Sequence, residues 1–382
     1  MARPGRSVEA FLLLVGTIVG VGMFAIPVVF VRAGFITGVV ELAVLAAAVT
    51  LVHLAYAQVV ARTTEVHRLP GYVRYYLGPG WGWLSRASYF FGLSGALLAY
   101  LVLGGSFLGG LIHWVLPASP SYLGPLAFYL FGVSVIARGI RFEGLADAVL
   151  TLGLVAAILI LGLTLLPAVS PGWLTGFYPA RLAGPYGVLL FSLAGAAIIP
   201  DLSRLLGSGG RAGLGRIVTA GTLVSAGLYL VFAVAVVGAT GPVTTPDAIS
   251  GLAAAYGSSY LLLGNLIGVL AAITSFIALG VVLEGMLVSD FGIRPRPAWL
   301  ITAAIPALLY GLGFRDFIVI ISLVGALAIG LDSILILLVH RRTRAVTDGR
   351  RALRVPIPAT LRAMLILMFI AGIALELTGI IR

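Results

Sequence analysis

Apolar residues run along this chain in long blocks, not in the one-sided stripes of a helix that faces water. The blocks fall at about residues 8–31, 38–61, 86–116, 120–138, 143–167, 185–206, 216–239, 260–288, 298–314, 317–339 and 362–381. Each is near the ~20 residues that carry a helix across hydrocarbon. Helices apolar on every side belong in lipid or in a deeply buried core. Turn residues collect between the blocks, as at Gly78-Pro79-Gly80 and from Pro167 to Pro171. The pattern predicts an all-α integral membrane protein of about eleven transmembrane helices, with 1–382 as one domain and the lipid bilayer as its partner.

Two blocks carry helix breakers at matching places. The first reads Gly16-Thr17-Ile18-Val19-Gly20-Val21-Gly22 and reaches Pro27 five residues after Gly22. The sixth reads Phe191-Ser192-Leu193-Ala194-Gly195 and reaches Pro200 five residues after Gly195. A lipid-spanning helix must bond its own backbone, so a helix that opens there offers its freed groups to something else. The glycines also suit close helix packing, the plainer reading of either block alone. The two breaks are five spans apart, an odd number, so a repeat of spans 1–5 as spans 6–10 is inverted in the membrane. Interrupted spans at corresponding places in two such halves point to a transporter binding site. The repeats are expected at about 8–167 and 185–339, with an eleventh helix at about 362–381.

Charge sets the orientation. The chain is 10% charged, and all 24 basic residues are arginine. With the N-terminus inside, every arginine falls on an inner segment except Arg32, Arg181, Arg315 and Arg382. That alternation follows the positive-inside rule and predicts a cytoplasmic N-terminus and an outer C-terminus in the cell membrane. The net charge of +11 is then a property of the inner face and not a nucleic-acid surface. Arg3 and Arg6 before the first block imitate a signal peptide, but the block is too long for an h-region and reads as a span. Cysteine is absent, which excludes disulfides and thiolate metal sites. The aromatic loop from Arg62 to Leu84 reads as an interfacial anchor or an inner gate, and 240–259 as a short cap over an outer vestibule.

Polar residues inside the blocks call for a reason, because a charge there costs ~3 kcal/mol. Thr274 and Ser275 put hydroxyls at mid-bilayer in span 8. They either bond their own helix or join freed carbonyls of span 1 in a cage for Na⁺. Asp332 is deep in span 10, and Glu284 is one turn from the inner end of span 8. These two are the candidates for proton coupling. Asp147 and Asp201 fall near inner ends within reach of Arg141 and Arg204, and Glu41 and Glu376 near outer ends; all four read as structural. Arg32 and Gly34 fall where an outer gate would be.

The span-1 glycines with Pro27, the span-6 break with Pro200, and Ala271-x-x-Thr274-Ser275-Phe276 resemble the amino acid/polyamine/organocation transporters. The likeness is nearest to the amino acid/auxin and aromatic (tyrosine- and tryptophan-type) permease branch. It implies the leucine-transporter-like five-plus-five inverted repeat, with helices 1 and 6 broken, an extra eleventh helix and alternating access. It implies that the substrate carboxylate meets N–H groups near Val21 and Gly22. The amino group would meet carbonyls around Thr17, Ile18, Phe191 and Ala194, with Ser192 and Gly195 in the same break. It further implies a cation site at Gly16, Val19, Ala271, Thr274 and Ser275, the place of Na⁺ in sodium-coupled relatives. One departure is the run Leu193-Ala194-Gly195-Ala196-Ala197, where such permeases are Phe-rich and often carry His. A small neutral substrate therefore suits as well as an aromatic one.

The expectation is an amino acid:cation symporter driven by Na⁺ or H⁺, with no cofactor beyond a coupling ion. A membrane enzyme is disfavoured: His53, His67, His113 and His340 pair with no acid at helical spacing. A transporter-like sensor or channel for a small solute is the alternative, but a pore wants a polar stripe that these blocks lack.

Overall fold

The computed structural model describes residues 4–65, 67–138, 145–210, 213–346, 353 and 355–379. Arg3, Arg141, Arg211, Arg350, Arg351, Arg354 and Arg382, and the side chains of Asp147 and Arg344, lie outside the described residues.

The chain is helical in the expected order. Span 1 is α1 (Pro4–Ile18) and α2 (Gly22–Ala33), span 2 is α3 (Phe35–Arg62), and a short α4 (Leu69–Leu77) follows. Span 3 is α5 (Pro79–Val115), span 4 is α6 (Leu123–Ala137) and span 5 is α7 (Leu145–Leu165). Span 6 is α8 (Tyr186–Ser192) and α9 (Ile199–Gly210), and span 7 is α10 (Leu214–Thr240). After the short α11 (Ile249–Tyr256), span 8 is α12 (Ser258–Ser289) and span 9 is α13 (Pro295–Gly311). Span 10 is α14 (Phe317–Leu323) and α15 (Gly330–Val346), and span 11 is α16 (Ala359–Leu377). Among the described residues, nine spans are long and apolar enough to cross a membrane when the bent α1–α2 pair counts as one. The other two expected spans are α6 and α13, at 15 and 17 residues.

One boundary moves appreciably. The loop expected from Arg62 to Leu84 is mostly helix: it holds α4 and the first turn of α5, turned by Gly78 at φ 97°. The segment 240–259 holds a short helix, α11.

Glycines set how closely the spans approach, since lipid gives no hydrophobic drive between helices and packing must supply the attraction. At the α5–α12 interface, Gly268 admits the Phe107 ring and Gly104 admits the Ala272 methyl and the Phe128 ring. Span 10 is not a plain α-helix. Residues Val324–Ile329 form a π-helical turn, a feature that often marks functional sites. Gly325 in that turn lies against the Gly187 carbonyl of α8, and Gly187 lies against Ser322. Backbone therefore meets backbone where span 10 supports the broken span 6.

Candidate substrate and ion site

Span 1 opens where its glycines are. The Gly20 N–H turns back to Ile18 O (2.8 Å), so the Gly16 carbonyl loses the donor a helix would give it. Met23 N–H reaches Gly20 O (3.4 Å) and Phe24 N–H reaches Val21 O (3.1 Å), which likewise releases Val19 O. The helix resumes at Gly22 after a bend of 52°. Val21 and Gly22 open the new helix, where N–H groups have no acceptor one turn back. Their N–H groups are thus free at a positive helix end, suited to an anionic group.

Span 6 opens between Ser192 and Ala196. Leu193 N–H still bonds Leu189 O (3.0 Å), and Ala194 N–H makes a tight turn to Phe191 O (3.1 Å). Pro200 is the second residue of α9, where its missing N–H is not needed. The two breaks touch: a Cβ on Gly22 would fall on the Ser192 hydroxyl, with Ser192 Cα at 3.0 Å.

Two side chains from neighbouring spans hold the breaks. The Tyr229 hydroxyl of α10 lies 2.5 Å from Ile18 O and 2.7 Å from Ser192 O, so it joins the ends of α1 and α8. The second is His53 of α3. Thr222 Oγ1 donates to Val218 O (2.9 Å), so towards His53 it accepts, from Nδ1–H (3.0 Å). Nε2 is then the bare nitrogen and accepts the Gly195 N–H (3.2 Å). The network assigns a neutral ring in one tautomer, buried and saturated. Nothing near His53 in sequence signals this role. His53→Leu is expected to strand the Gly195 N–H at a cost of about 1–3 kcal/mol and to lower the initial uptake rate about tenfold or more. His53→Gln, whose amide oxygen accepts the same bond, should recover much of it. An equal loss in both variants would show that ring volume matters and the acceptor does not.

A cavity of about 90 Å³ lies against both breaks. Of the residues proposed from sequence for the substrate, Thr17, Ile18, Gly22, Phe191, Ser192 and Ala194 line it, whereas Val21 and Gly195 do not. Several expected acceptors are already engaged: Ile18 O takes Gly20 N–H and the Tyr229 hydroxyl, and Phe191 O takes Ala194 N–H. The hydroxyls of Thr17 and Ser192 bond one turn back, to Leu13 O (2.8 Å) and Val188 O (2.7 Å). Rings close the cavity from other spans: Tyr56 of α3, Tyr89 and Tyr100 of α5, with Tyr100 and Phe191 centroids 6.4 Å apart. The small residues of the span-6 break therefore leave space that aromatic walls enclose.

None of the expected cation residues lines this cavity. α1 packs against α12, and the Ser275 and Tyr100 hydroxyls both face Gly20, 3.1 and 2.8 Å from where its Cβ would be. Gly16 packs against Thr151 of α7. Ala271 and Val19 are fully buried. Thr274 Oγ1 donates to Leu270 O (2.9 Å), the plain back-bond, which leaves its lone pairs available to a cation. Of the proton candidates, Asp332 lines this cavity and Glu284 does not.

Away from the cavity lining, Arg68, just before α4, bonds Asp201 of α9 and reaches Ala197 O (3.3 Å). Burial opposes the Arg68 charge, and the Asp201 carboxylate outweighs it, raising its pKa above the ordinary value. Arg204 is Asp201's second partner, at 3.1 Å, as the sequence suggested; Arg68 is the one that was not foreseen.

Two helices broken side by side among the apolar spans fit a membrane transporter, and the family follows from the sequence. Residues 5–377 match the model of the tryptophan/tyrosine permease family, and the chain belongs to that family. The fold is shared with MhsT, whose crystal structure in complex with L-phenylalanine superposes with a TM-score of 0.69 at 16% identity. That match covers 96% of this chain and 98% of the other. No curated protein matches the chain by sequence. The protein is a multi-pass membrane transporter of amino acids and not an enzyme.

Proposed function

We propose that the chain is a secondary active symporter that carries an aromatic amino acid of the tryptophan or tyrosine type across the cell membrane by alternating access. The observation that carries this reading is the shared cavity at the two breaks, with Gly22 at a positive helix end and Tyr56, Tyr89, Tyr100 and Phe191 around it. The family's name and the L-phenylalanine bound to MhsT support an aromatic substrate. The N-terminus is cytoplasmic and the C-terminus outside, by the arginine distribution. The repeats run from about 8 to 167 and 185 to 339.

Na⁺ is the coupling ion on this reading. The released carbonyls of Gly16 and Val19, with the oxygens of Ala271, Thr274 and Ser275, make a hard-cation donor set. A second reading, proton coupling through Asp332, draws on that carboxyl's position in the central cavity.

Uptake of labelled tryptophan, tyrosine and small neutral amino acids into proteoliposomes, with Na⁺ and proton gradients imposed separately, tests both. Tryptophan or tyrosine should enter on a Na⁺ gradient, and Thr274→Ala with Ser275→Ala should remove that uptake. If it survives unchanged while Asp332→Asn stops it, the ion is a proton. No uptake, and no thermal shift with any amino acid, overturns the transport reading itself.

A further inference from the structure

Thr151 of α7 departs from a habit of this chain. Thr17, Thr50, Thr222, Thr240 and Thr274 each donate their hydroxyl proton to a carbonyl one turn back in their own helix. That back-bond satisfies a hydroxyl where no water is at hand. Thr151 does not make it. Its Oγ1 is buried with no hydrogen-bond partner, and the residue is only 2% exposed. The hydroxyl is turned instead to α1. A Cβ on Gly16 would fall on Thr151 Oγ1 and come within 3.4 Å of Thr151 Cβ, so this side chain presses on the Gly16 backbone.

Gly16 is the residue whose carbonyl α1 releases when the Gly20 N–H turns back to Ile18 O (2.8 Å). One turn on, Ser275 Oγ of α12 faces Gly20 and is also buried without a hydrogen bond. α7 packs against both α1 and α12. Two orphaned hydroxyls from two helices thus meet the released backbone of a third. Polar atoms buried in this way are costly unless something takes them. An anion does not fit, because the released groups of this stretch are carbonyl oxygens. A hard cation takes hydroxyl and carbonyl oxygens together.

We infer that Thr151 Oγ1 is a further ligand of the coupling cation, added by span 5 to the oxygens of Gly16, Val19, Ala271, Thr274 and Ser275. The inference rests on the sodium reading. An added oxygen favours Na⁺ over the smaller Li⁺, which has room for fewer ligands, because selectivity follows cavity size and ligand number. It also gives the ion a mechanical part. On the proposed repeats α7 belongs to the first half and α12 to the second, so one ion would tie both to the opened stretch of α1.

Equilibrium binding of labelled tryptophan to the purified full chain, titrated with Na⁺ or with Li⁺, tests it without transport. Thr151→Val keeps the shape of the side chain and removes the oxygen. It should raise the Na⁺ concentration for half-maximal binding about tenfold, and the Li⁺ concentration much less. Thr151→Ser, which keeps the oxygen, should stay within about twofold of the wild type. Without either ion, Thr151→Val should melt no lower than the wild type, since an orphaned hydroxyl has been removed. Unchanged Na⁺ and Li⁺ titrations in Thr151→Val would overturn the inference. Equal losses in Thr151→Val and Thr151→Ser would do the same. So would weaker tryptophan binding at saturating Na⁺ with the half-saturation unmoved; either result makes Thr151 a packing residue. If the wild type binds tryptophan without regard to either ion, the sodium reading fails and the inference falls with it.

Discussion

Gly22→Ala is expected to abolish amino acid uptake at any substrate concentration while the protein still folds. The added methyl would land on the Ser192 hydroxyl, with Ser192 Cα at 3.0 Å and Cβ at 3.1 Å. The hydroxyl is held by Val188 O, and the Ser192 carbonyl by Tyr229, so neither retreats easily. Overpacking of this kind costs about 1–3 kcal/mol. Here the strain falls between the two breaks, where on the proposed mechanism the carboxylate meets the Gly22 N–H. A displacement of 1 Å at such a point costs about 100-fold or more. The control is Gly227→Ala on α10, where nothing lies within 4 Å of the new methyl. Uptake and equilibrium binding should be lost in the first variant and kept in the second, with both eluting as single species. Wild-type uptake by Gly22→Ala would remove the break from the substrate site.

Much of this was legible in sequence because the signals are local. Glycines and prolines mark where a lipid-facing backbone is permitted to open, and the opening falls at Val19–Val21 and Leu193–Gly195. The wiring that makes the openings stable was not legible. His53 acts on Gly195, 142 residues away, and on Thr222, 169 away; alone in an apolar block it looks like any core histidine. Tyr229 is the same case, one ring serving two carbonyls from different spans. Sequence logic weighed the aromatic substrate against the span-6 residues alone, whereas three of the four rings come from spans 2 and 3. Glu376 was expected near the end of its span in a structural role. Its partner Ser322 and its unpaired oxygen depend on how α16 docks against α14, which no periodicity records. The π turn at Val324–Ile329 is invisible for a related reason: Ala, Gly and Leu suit an α-helix equally well.

Arg68→Gln is expected to unlock the inner side. The guanidinium and the Asp201 carboxylate are 8% and 13% exposed, and Arg68 also holds Ala197 O in the turn before α9. One residue thus ties the loop before α4 to the inner half of span 6, on the path that a substrate leaving the central cavity would take. Removing one partner of a buried pair costs about 3–5 kcal/mol, because the other charge is left without compensation. If the pair exists only while the inner side is closed, that cost falls on the closed state alone. A shift of about 3 kcal/mol is a factor of over 100 in the open-to-closed ratio. The absence of cysteine makes the shift measurable without background. Ser333→Cys puts a single thiol beside Asp332 in the central cavity. In inside-out vesicles, an impermeant thiol reagent should label that thiol at least tenfold faster when Arg68→Gln is added, whereas the exposed Arg204→Gln should change the rate little. Asp201→Asn should match Arg68→Gln in direction, since either change breaks the same pair. Equal labelling rates with and without Arg68 would mean that the pair fastens a surface loop, and that closure of the inner side resides in the packing of α4 against α5 and α15.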